Sequence, residues 1–342
     1  MINNTDAKET RLCEVNRSIL EILLKDRSSK RNLIWATNNY ASRGVGYQSF
    51  DHITVDSIFK SDEIVIKPRV EKSKQEQISR VKDKAEVFTP SWICNAQNNL
   101  IDNAWFGRVS AFNTEIEKDW IVNPEKVDFP QGKTWQDYVK ENRLEITCGE
   151  APFIVSRYDV VTGIAIPIGK RIGLLDRKFR IISENVDTKS EWIEWAKNAI
   201  KSIYGFDWQG DNVFLARENI INTVKDYYAD KFYSSLTEEQ LLEFAEIISW
   251  NIWQMDGLKY IVPNSDKSIS ESQVRCFNDK EKYYEDVDAR IKELKASKKA
   301  KNSKGILMPG EIEANAFAQA EKSGFVPVLG GGGGMVNDLA VE

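Results

Sequence analysis

The sequence predicts an α/β protein with an open parallel sheet, preceded by a helical N-terminal region. Three segments place an acidic residue at the end of a short apolar run: 143–150, 202–207 and 250–256. Segments with apolar residues at helical spacing lie between them, an alternation typical of parallel strands joined by helices. Because the carboxyl ends of parallel strands meet at one edge of the sheet, we expect a ligand site there.

The composition is that of a globular chain with enough apolar residues for one large domain or two modest ones. Of the 342 residues, 42% are hydrophobic and 29% are charged, and the net charge is -5. An acidic chain can contact nucleic acid only through a local basic face. The four cysteines are far apart and His52 is the single histidine. These counts argue against a metal site, a disulfide framework and a histidine-based triad.

The organisation along the chain predicts three parts. We expect an N-terminal region over residues 1–85, a central domain over 86–265 with an insertion at 158–185, and a tail over 266–342. No apolar run reaches the roughly 18 residues that a membrane span needs, and the polar start MINNTDAKET is unlike a signal peptide. We therefore expect no membrane contact and a cytoplasmic location.

The N-terminal region contains one predicted helix and two segments open to two interpretations. Leu12, Ile19 and Leu23 are among the apolar residues at helical spacing over 6–25, which predicts a packing helix. Residues 31–47 are polar and aromatic, which suits either a loop that binds a base or adenine ring or an irregular surface segment. The basic stretch 67–84 suits either contacts to DNA phosphates or a solvated linker.

A helix is predicted directly after Phe88-Thr89-Pro90. Its apolar face carries Trp92 and Ile93, and Thr89 or Ser91 is expected to cap its first turn. Residues 104–140 are rich in aromatic residues and turn formers, and we predict a loop-rich connection there.

The central segment runs from Arg143 to Ile154. It predicts a strand, a turn at Cys148-Gly149-Glu150 and a helix entered at Pro152. The alternating segments at 158–185 predict hairpins. Basic side chains there could contact DNA phosphates, unless the segment is an ordinary surface insertion: Arg157, Lys170, Arg171, Arg177, Lys178 and Arg180.

Two further strands follow, each ending near an aspartate. Thr188 and Glu191 predict a capped helix that leads to a strand ending at Asp207, where a carboxylate can accept hydrogen bonds from both hydroxyls of a ribose. A strong helix begins near Asp211. Thr237 opens a further helix, which leads to a strand that ends at Asp256.

Several strings in this order resemble a known family. They are Phe88-Thr89-Pro90, then Glu145-x-Thr147-Cys148-Gly149, then Tyr204-Gly205-x-Asp207, and finally Asp256-Gly257. Over roughly residues 10 to 265 the chain is similar to the methylation (M) subunit family of bacterial restriction-modification systems. Ile146 stands where that family has proline, and Ala151 where it has its second glycine.

The resemblance implies a Rossmann-like class I methyltransferase sheet that binds S-adenosylmethionine and methylates adenine in double-stranded DNA. It also implies a restriction or specificity subunit as a further partner. The cofactor-binding residues that it implies are Phe88, Thr89, Glu145, Thr147, Cys148, Gly149, Asp207 and Asp256.

The catalytic element of that family is not found, and no catalytic residue can be named. The family holds the target amine with Asn or Asp, two prolines and an aromatic residue after its fourth strand. No such tetrapeptide occurs here, and the half of the sheet that would carry it is expected to be absent, shortened or strongly divergent. Residues 279–304 predict a charged helix and Gly330–Gly334 a flexible tail. The alternative function is therefore a non-catalytic cofactor-binding or DNA-binding subunit that needs a partner.

Overall fold

Helices and short strands are interspersed along the chain, as the hydrophobic periodicity predicts. The structure is a computed structural model, and it describes residues 16–263, apart from 28, 30, 61, 62, 85, 258 and 260, together with residues 326–329. The predicted charged helix over 279–304 and the glycine run lie outside these residues. The N-terminal elements are α1 (Arg17–Leu23), β1 (Lys25–Asp26), β2 (Arg31–Asn32), α2 (Val55–Ile58), β3 (Phe59–Lys60), β4 (Glu63–Ile64) and α3 (Lys74–Lys84).

The central elements are interspersed in the same manner. They are α4 (Ser91–Phe106), β5 (Asn113–Ile116), β6 (Asp119–Val122), α5 (Trp135–Lys140), β7 (Arg143–Ile146), α6 (Leu174–Asn185), α7 (Lys189–Lys201), β8 (Ile203–Asp207), α8 (Gly210–Phe232), α9 (Glu238–Asn251), β9 (Ile252–Gln254) and β10 (Val326–Leu329). Short 3-10 helices lie at Ala41–Arg43, Arg69–Glu71 and Ile168–Lys170.

The central sheet has four parallel strands in the order β10-β7-β8-β9. Every residue of β7, β8 and β9 is buried, as expected for a parallel sheet covered on both faces. The predicted α/β class and the three predicted strands are thus confirmed. The carboxyl ends of β7, β8 and β9 meet at one edge, as the sequence predicts.

The fourth strand was not predicted from the sequence, which indicated only that the remaining half of the sheet is absent, shortened or strongly divergent. β10 pairs in parallel with β7, with Val326 opposite Arg143 and Leu329 opposite Ile146. A long connection of 71 residues between Gln254 and Val326 separates it from β9 in the sequence. Residues so far along the chain carry no local signal that they join this sheet.

The helix predicted at Pro152 is not formed. Residues 152–154 form a turn, and the next helix, α6, begins only at Leu174. The backbone amides of Leu174 and Leu175 donate to the carbonyls of Phe153 and Ile154 at 2.8 and 2.9 Å. The turn is therefore docked on the start of α6 instead of opening a helix of its own.

The hairpins predicted at 158–185 are only partly present. Tyr158 and Ala165 form an isolated antiparallel bridge, but residues 174–185 are helical. The short apolar run Phe179 to Ile182 fits a strand and a buried helix equally well. Because the run is short, it was predicted as a strand, whereas it lies within α6.

The segment 31–47 is not an irregular surface loop. Leu33, Trp35, Tyr40 and Tyr47 are buried, and the ring centroids of Trp35 and Tyr40 are 4.5 Å apart. The segment crosses the start of α8 so closely that a Cβ on Gly210 would lie 2.0 Å from the Ile34 carbonyl oxygen. The aromatic residues that suggested a base-binding loop belong to the core.

Other local predictions have mixed outcomes. Thr237 and Gln240 form the predicted capping box of α9. At α4 neither Thr89 nor Ser91 caps through its side chain; instead the Asp159 carboxylate accepts the Ser91 amide at 2.7 Å. The connection predicted as loop-rich contains the β5–β6 hairpin and α5, whose capping box joins Thr134 and Asp137.

Candidate functional site

The loop after β7 has an unusual backbone. Thr147, Gly149 and Ala151 have φ angles of 58°, 53° and 65°, a region that side chains other than glycine rarely occupy. Ala151, which stands where the resembled family has glycine, keeps the conformation that glycine favours. Backbone strain of this kind persists where the surrounding structure enforces it, and it is frequent at functional sites.

Asp207 at the end of β8 holds this loop. One carboxylate oxygen accepts the Gly149 amide at 2.9 Å, and the other accepts the Gln209 amide at 2.9 Å. Burial raises the pKa of Asp207 to about 7; these two amides oppose the rise, and the charges of Glu86 and Asp211 add to it. The first and second strands of the predicted site are therefore joined through a carboxyl group that titrates near neutral pH.

Phe88 lies against the same loop. A Cβ built on Gly149 would be 3.3 Å from the Phe88 ring, so the absence of a side chain lets the ring approach. The Arg69 guanidinium lies 5.3 Å from the centre of this ring. Thr89 is half-buried, and its carbonyl accepts from the Cys94 thiol at 3.5 Å. Phe88, Gly149 and Asp207 therefore lie together at this edge of the sheet.

Glu145 and Cys148 lie deeper than a ligand-contacting role requires. Both are buried, and the Glu145 carboxyl oxygens make no hydrogen bond within the described structure. Burial raises the pKa of Glu145 well above its usual value, although the nearby amides of Phe153 and Ile154 oppose the rise. Burial also raises the pKa of the Cys148 thiol. Glu145 is therefore a buried carboxyl group inside the sheet whose protonated form is favoured by burial.

Asp256 lies just beyond the end of β9. It follows β9 by two residues, and its carboxylate accepts the Lys259 amide at 3.0 Å, which stabilises its own turn. The Met255 amide, one residue earlier, donates to the Asp207 carbonyl at 2.8 Å. Asp256 is thus attached to the edge through the backbone of Met255, while its side chain supports the local turn.

A buried ionic cluster beside this edge was not predicted. We use this name for Tyr40, Lys72, Arg80, Glu86 and Asp211. Arg80 donates to Glu86 at 3.1 Å and to Asp211 at 2.5 Å, and the Tyr40 hydroxyl donates to Asp211 at 2.8 Å. Burial alone would raise the pKa of Asp211, but the charges of Arg80 and Lys72 lower it. The only sequence signal was the alternation of basic and acidic residues over 67–86, which a solvated linker also shows.

The basic segments expected to contact DNA are largely used inside the protein. Lys72, Arg80, Arg177 and Lys178 are buried. Arg177 pairs with Asp102 and also donates to Asn95 and Asn99 at 2.9 and 2.8 Å.

Other basic groups of the insertion are also engaged. Arg157 and Arg171 both pair with Asp226, and Arg180 donates to Glu184 and to nearby carbonyls. Placing phosphate contacts on Lys72 or on residues 171–180 was therefore wrong. Lys74 and Lys82 remain exposed, and Lys170 is half-exposed.

Other site types have little support. Among the residues that the structure describes, no group of histidine, cysteine, aspartate and glutamate could hold a metal ion, and no helix is long and apolar enough to cross a membrane. Comparison of the chain with protein-family models, curated proteins and solved structures gives no match. The geometry of the sheet edge and the sequence strings are therefore what indicate a function for this chain.

Proposed function

We propose that this chain binds S-adenosylmethionine at the carboxyl edge of its parallel sheet. The observation that carries the proposal is the contact of three predicted residues: Asp207 holds Gly149, and Gly149 packs against Phe88. Open parallel sheets bind nucleotide-like ligands at this edge. These residues come from three distant parts of the sequence, so their meeting is a stronger argument than any one of the strings.

Each residue has a chemical role in this proposal. The Asp207 carboxylate accepts hydrogen bonds from the ribose hydroxyls, and the strained loop around Gly149 lets the cofactor approach the backbone. Phe88 packs on the cofactor, and Asp256 lies at the end of the third strand for the adenine amine. The buried Glu145 and Cys148 support the loop from inside the sheet.

The reaction that we propose is methylation of the adenine amino group in double-stranded DNA, within a restriction-modification or other defence system. The missing tetrapeptide bears on this step. β10 is the fourth strand of the parallel sheet, and the residues that follow it are Gly330–Gly334. Glycines offer neither an amide nor a carboxylate side chain to hold the target amine. We therefore propose that the isolated chain binds cofactor but transfers methyl groups slowly or not at all.

The alternative is a non-catalytic cofactor-binding or DNA-binding subunit that serves a partner. Within the described residues, Arg80, Arg177 and Lys178 are buried and cannot contact the DNA backbone. This burial favours a partner that contributes to DNA binding. A restriction or specificity subunit would supply that surface and the target pocket.

A transfer assay distinguishes these functions. The purified chain is incubated with S-adenosylmethionine labelled in its methyl group and with genomic DNA, and methylated bases are counted after digestion. We expect little or no methyladenine from the chain alone and a clear increase when a partner subunit is added. Rapid turnover by the isolated chain would show that it contains its own target pocket.

A further inference from the structure

Lys72 is a buried cation without a hydrogen bond. It follows the 3-10 helix Arg69–Glu71, and 5% of its side chain is exposed. Its ammonium group donates no hydrogen bond to any described residue. A carboxylate oxygen of Asp211 is 3.6 Å away and already accepts from Arg80 and Tyr40. An ammonium group can donate three hydrogen bonds, and a buried one without acceptors is costly.

Lys72 is close to the edge described above. Glu150, which follows Gly149, accepts the Arg69 amide at 2.5 Å and the Tyr158 hydroxyl at 2.7 Å. Burial raises the pKa of Glu150, and the positive charge of Lys72 opposes that rise. The same Glu86 charge raises the pKa of both Glu150 and Asp207. Lys72 and these carboxyl groups therefore belong to one electrostatic environment.

The charges beside Lys72 limit what it can bind. A phosphate dianion would meet Asp211, Glu150 and Glu86, and like charges at short range repel strongly in a buried setting. A single carboxylate that is accompanied by an ammonium group fits better. Its carboxylate can accept hydrogen bonds from the Lys72 ammonium group, and its own ammonium group offsets the negative charge that the ligand brings towards Asp211, Glu150 and Glu86.

We infer that Lys72 is a specificity-determining residue that binds the carboxylate of an α-amino-acid group at this edge of the sheet. The inference rests on the proposed function, in which that group is the methionyl end of the cofactor. Lys72 would then select ligands that carry this carboxylate, while Asp207 binds the ribose.

The test compares two ligands by calorimetry. Decarboxylated S-adenosylmethionine keeps the sulfonium and ammonium groups of S-adenosylmethionine and lacks the carboxylate. Hydrogen bonds to charged groups correspond to a preference of about 10- to 100-fold, so wild type should bind S-adenosylmethionine more tightly by that factor. Lys72→Met should bind the two ligands alike. Lys74→Met, which removes an exposed lysine two residues away, should keep the wild-type preference.

Failure of the role of Lys72 and failure of cofactor binding give different results. Equal affinity of wild type for the two ligands, or an undiminished preference in Lys72→Met, would overturn the role of Lys72. The hydrogen bonds of its ammonium group would then be accepted by water alone. Absence of binding by either ligand to wild type would instead contradict the proposed function. If Lys72→Met does not fold, Lys72→Gln takes its place, and the wild-type comparison still decides whether the carboxylate is recognised.

Discussion

At the scale of single residues, Asp207 links the fold to pH. Its folded-state pKa is about 7, whereas an unfolded aspartate titrates near 3.9. Between these values the folded protein holds a proton that the unfolded chain releases. Wild type therefore loses stability as pH rises from about 4 to about 7, and a variant without this group does not share that loss.

Asp207→Ala should destabilise the protein by an amount that depends on pH. Removing the carboxyl group leaves the amides of Gly149 and Gln209 without their acceptor, which costs about 1–3 kcal/mol for each buried donor. The resulting destabilisation should be larger at pH 5 than at pH 8, measured by urea unfolding. Asp187→Ala, at a carboxylate that is 97% exposed, should show nearly the same small effect at both values. A destabilisation by Asp207→Ala that grows with pH would contradict the raised pKa.

The loop after β7 gives a second prediction at this scale. Gly149→Ala places a side chain in a left-handed conformation and 3.3 Å from Phe88, so the free energy of unfolding should fall by about 1–2 kcal/mol. Ala151→Gly relieves the strain of the left-handed conformation at residue 151 but loses one buried methyl group. These two effects should cancel, so the free energy of unfolding should change by less than about 1 kcal/mol. Urea unfolding measures both. A larger loss for Ala151→Gly than for Gly149→Ala would show that the loop is not strained as described.

At the scale of elements, α6 shows how a basic segment can be structural. Arg177 is fully enclosed with Asp102, and Arg177→Met would leave that carboxylate without a positive partner. Breaking a buried ion pair on one side costs about 3–5 kcal/mol. Lys74→Met, on the exposed part of α3, should change the free energy of unfolding by less than about 0.5 kcal/mol. If Arg177→Met kept wild-type stability and lost DNA affinity, the phosphate-contact interpretation would have to be restored.

At the scale of the whole molecule, the sequence predicts the parallel sheet well and its surroundings poorly. β7, β8 and β9 are short apolar runs between helical segments, and such a pattern can be recognised from neighbouring residues alone. The meeting of Asp207 with Gly149 follows because parallel strands align their carboxyl ends. The sequence did not predict ion pairs between distant residues. Arg177 and Asp102 are 75 positions apart, and Arg80 and Asp211 are 131 positions apart.

Basic residues illustrate the reason for these failures. A lysine or arginine is predicted to be exposed because charged side chains are seldom buried without a partner. When the partner is distant in the sequence, the residues around the lysine or arginine give no sign of it. The same limit hid β10, whose pairing with β7 depends on residues far along the chain.

The central claim is that the carboxyl edge binds S-adenosylmethionine through Asp207, and calorimetric titration at pH 8 tests it most directly. At this pH the Asp207 carboxyl group is mostly ionised, and an ionised carboxylate is the stronger acceptor for ribose hydroxyls. Wild type should bind one cofactor per chain, Asp207→Ala should bind about ten- to a hundredfold more weakly, and Asp187→Ala should bind like wild type. No binding by wild type, or unchanged affinity in a folded Asp207→Ala, would contradict the claim.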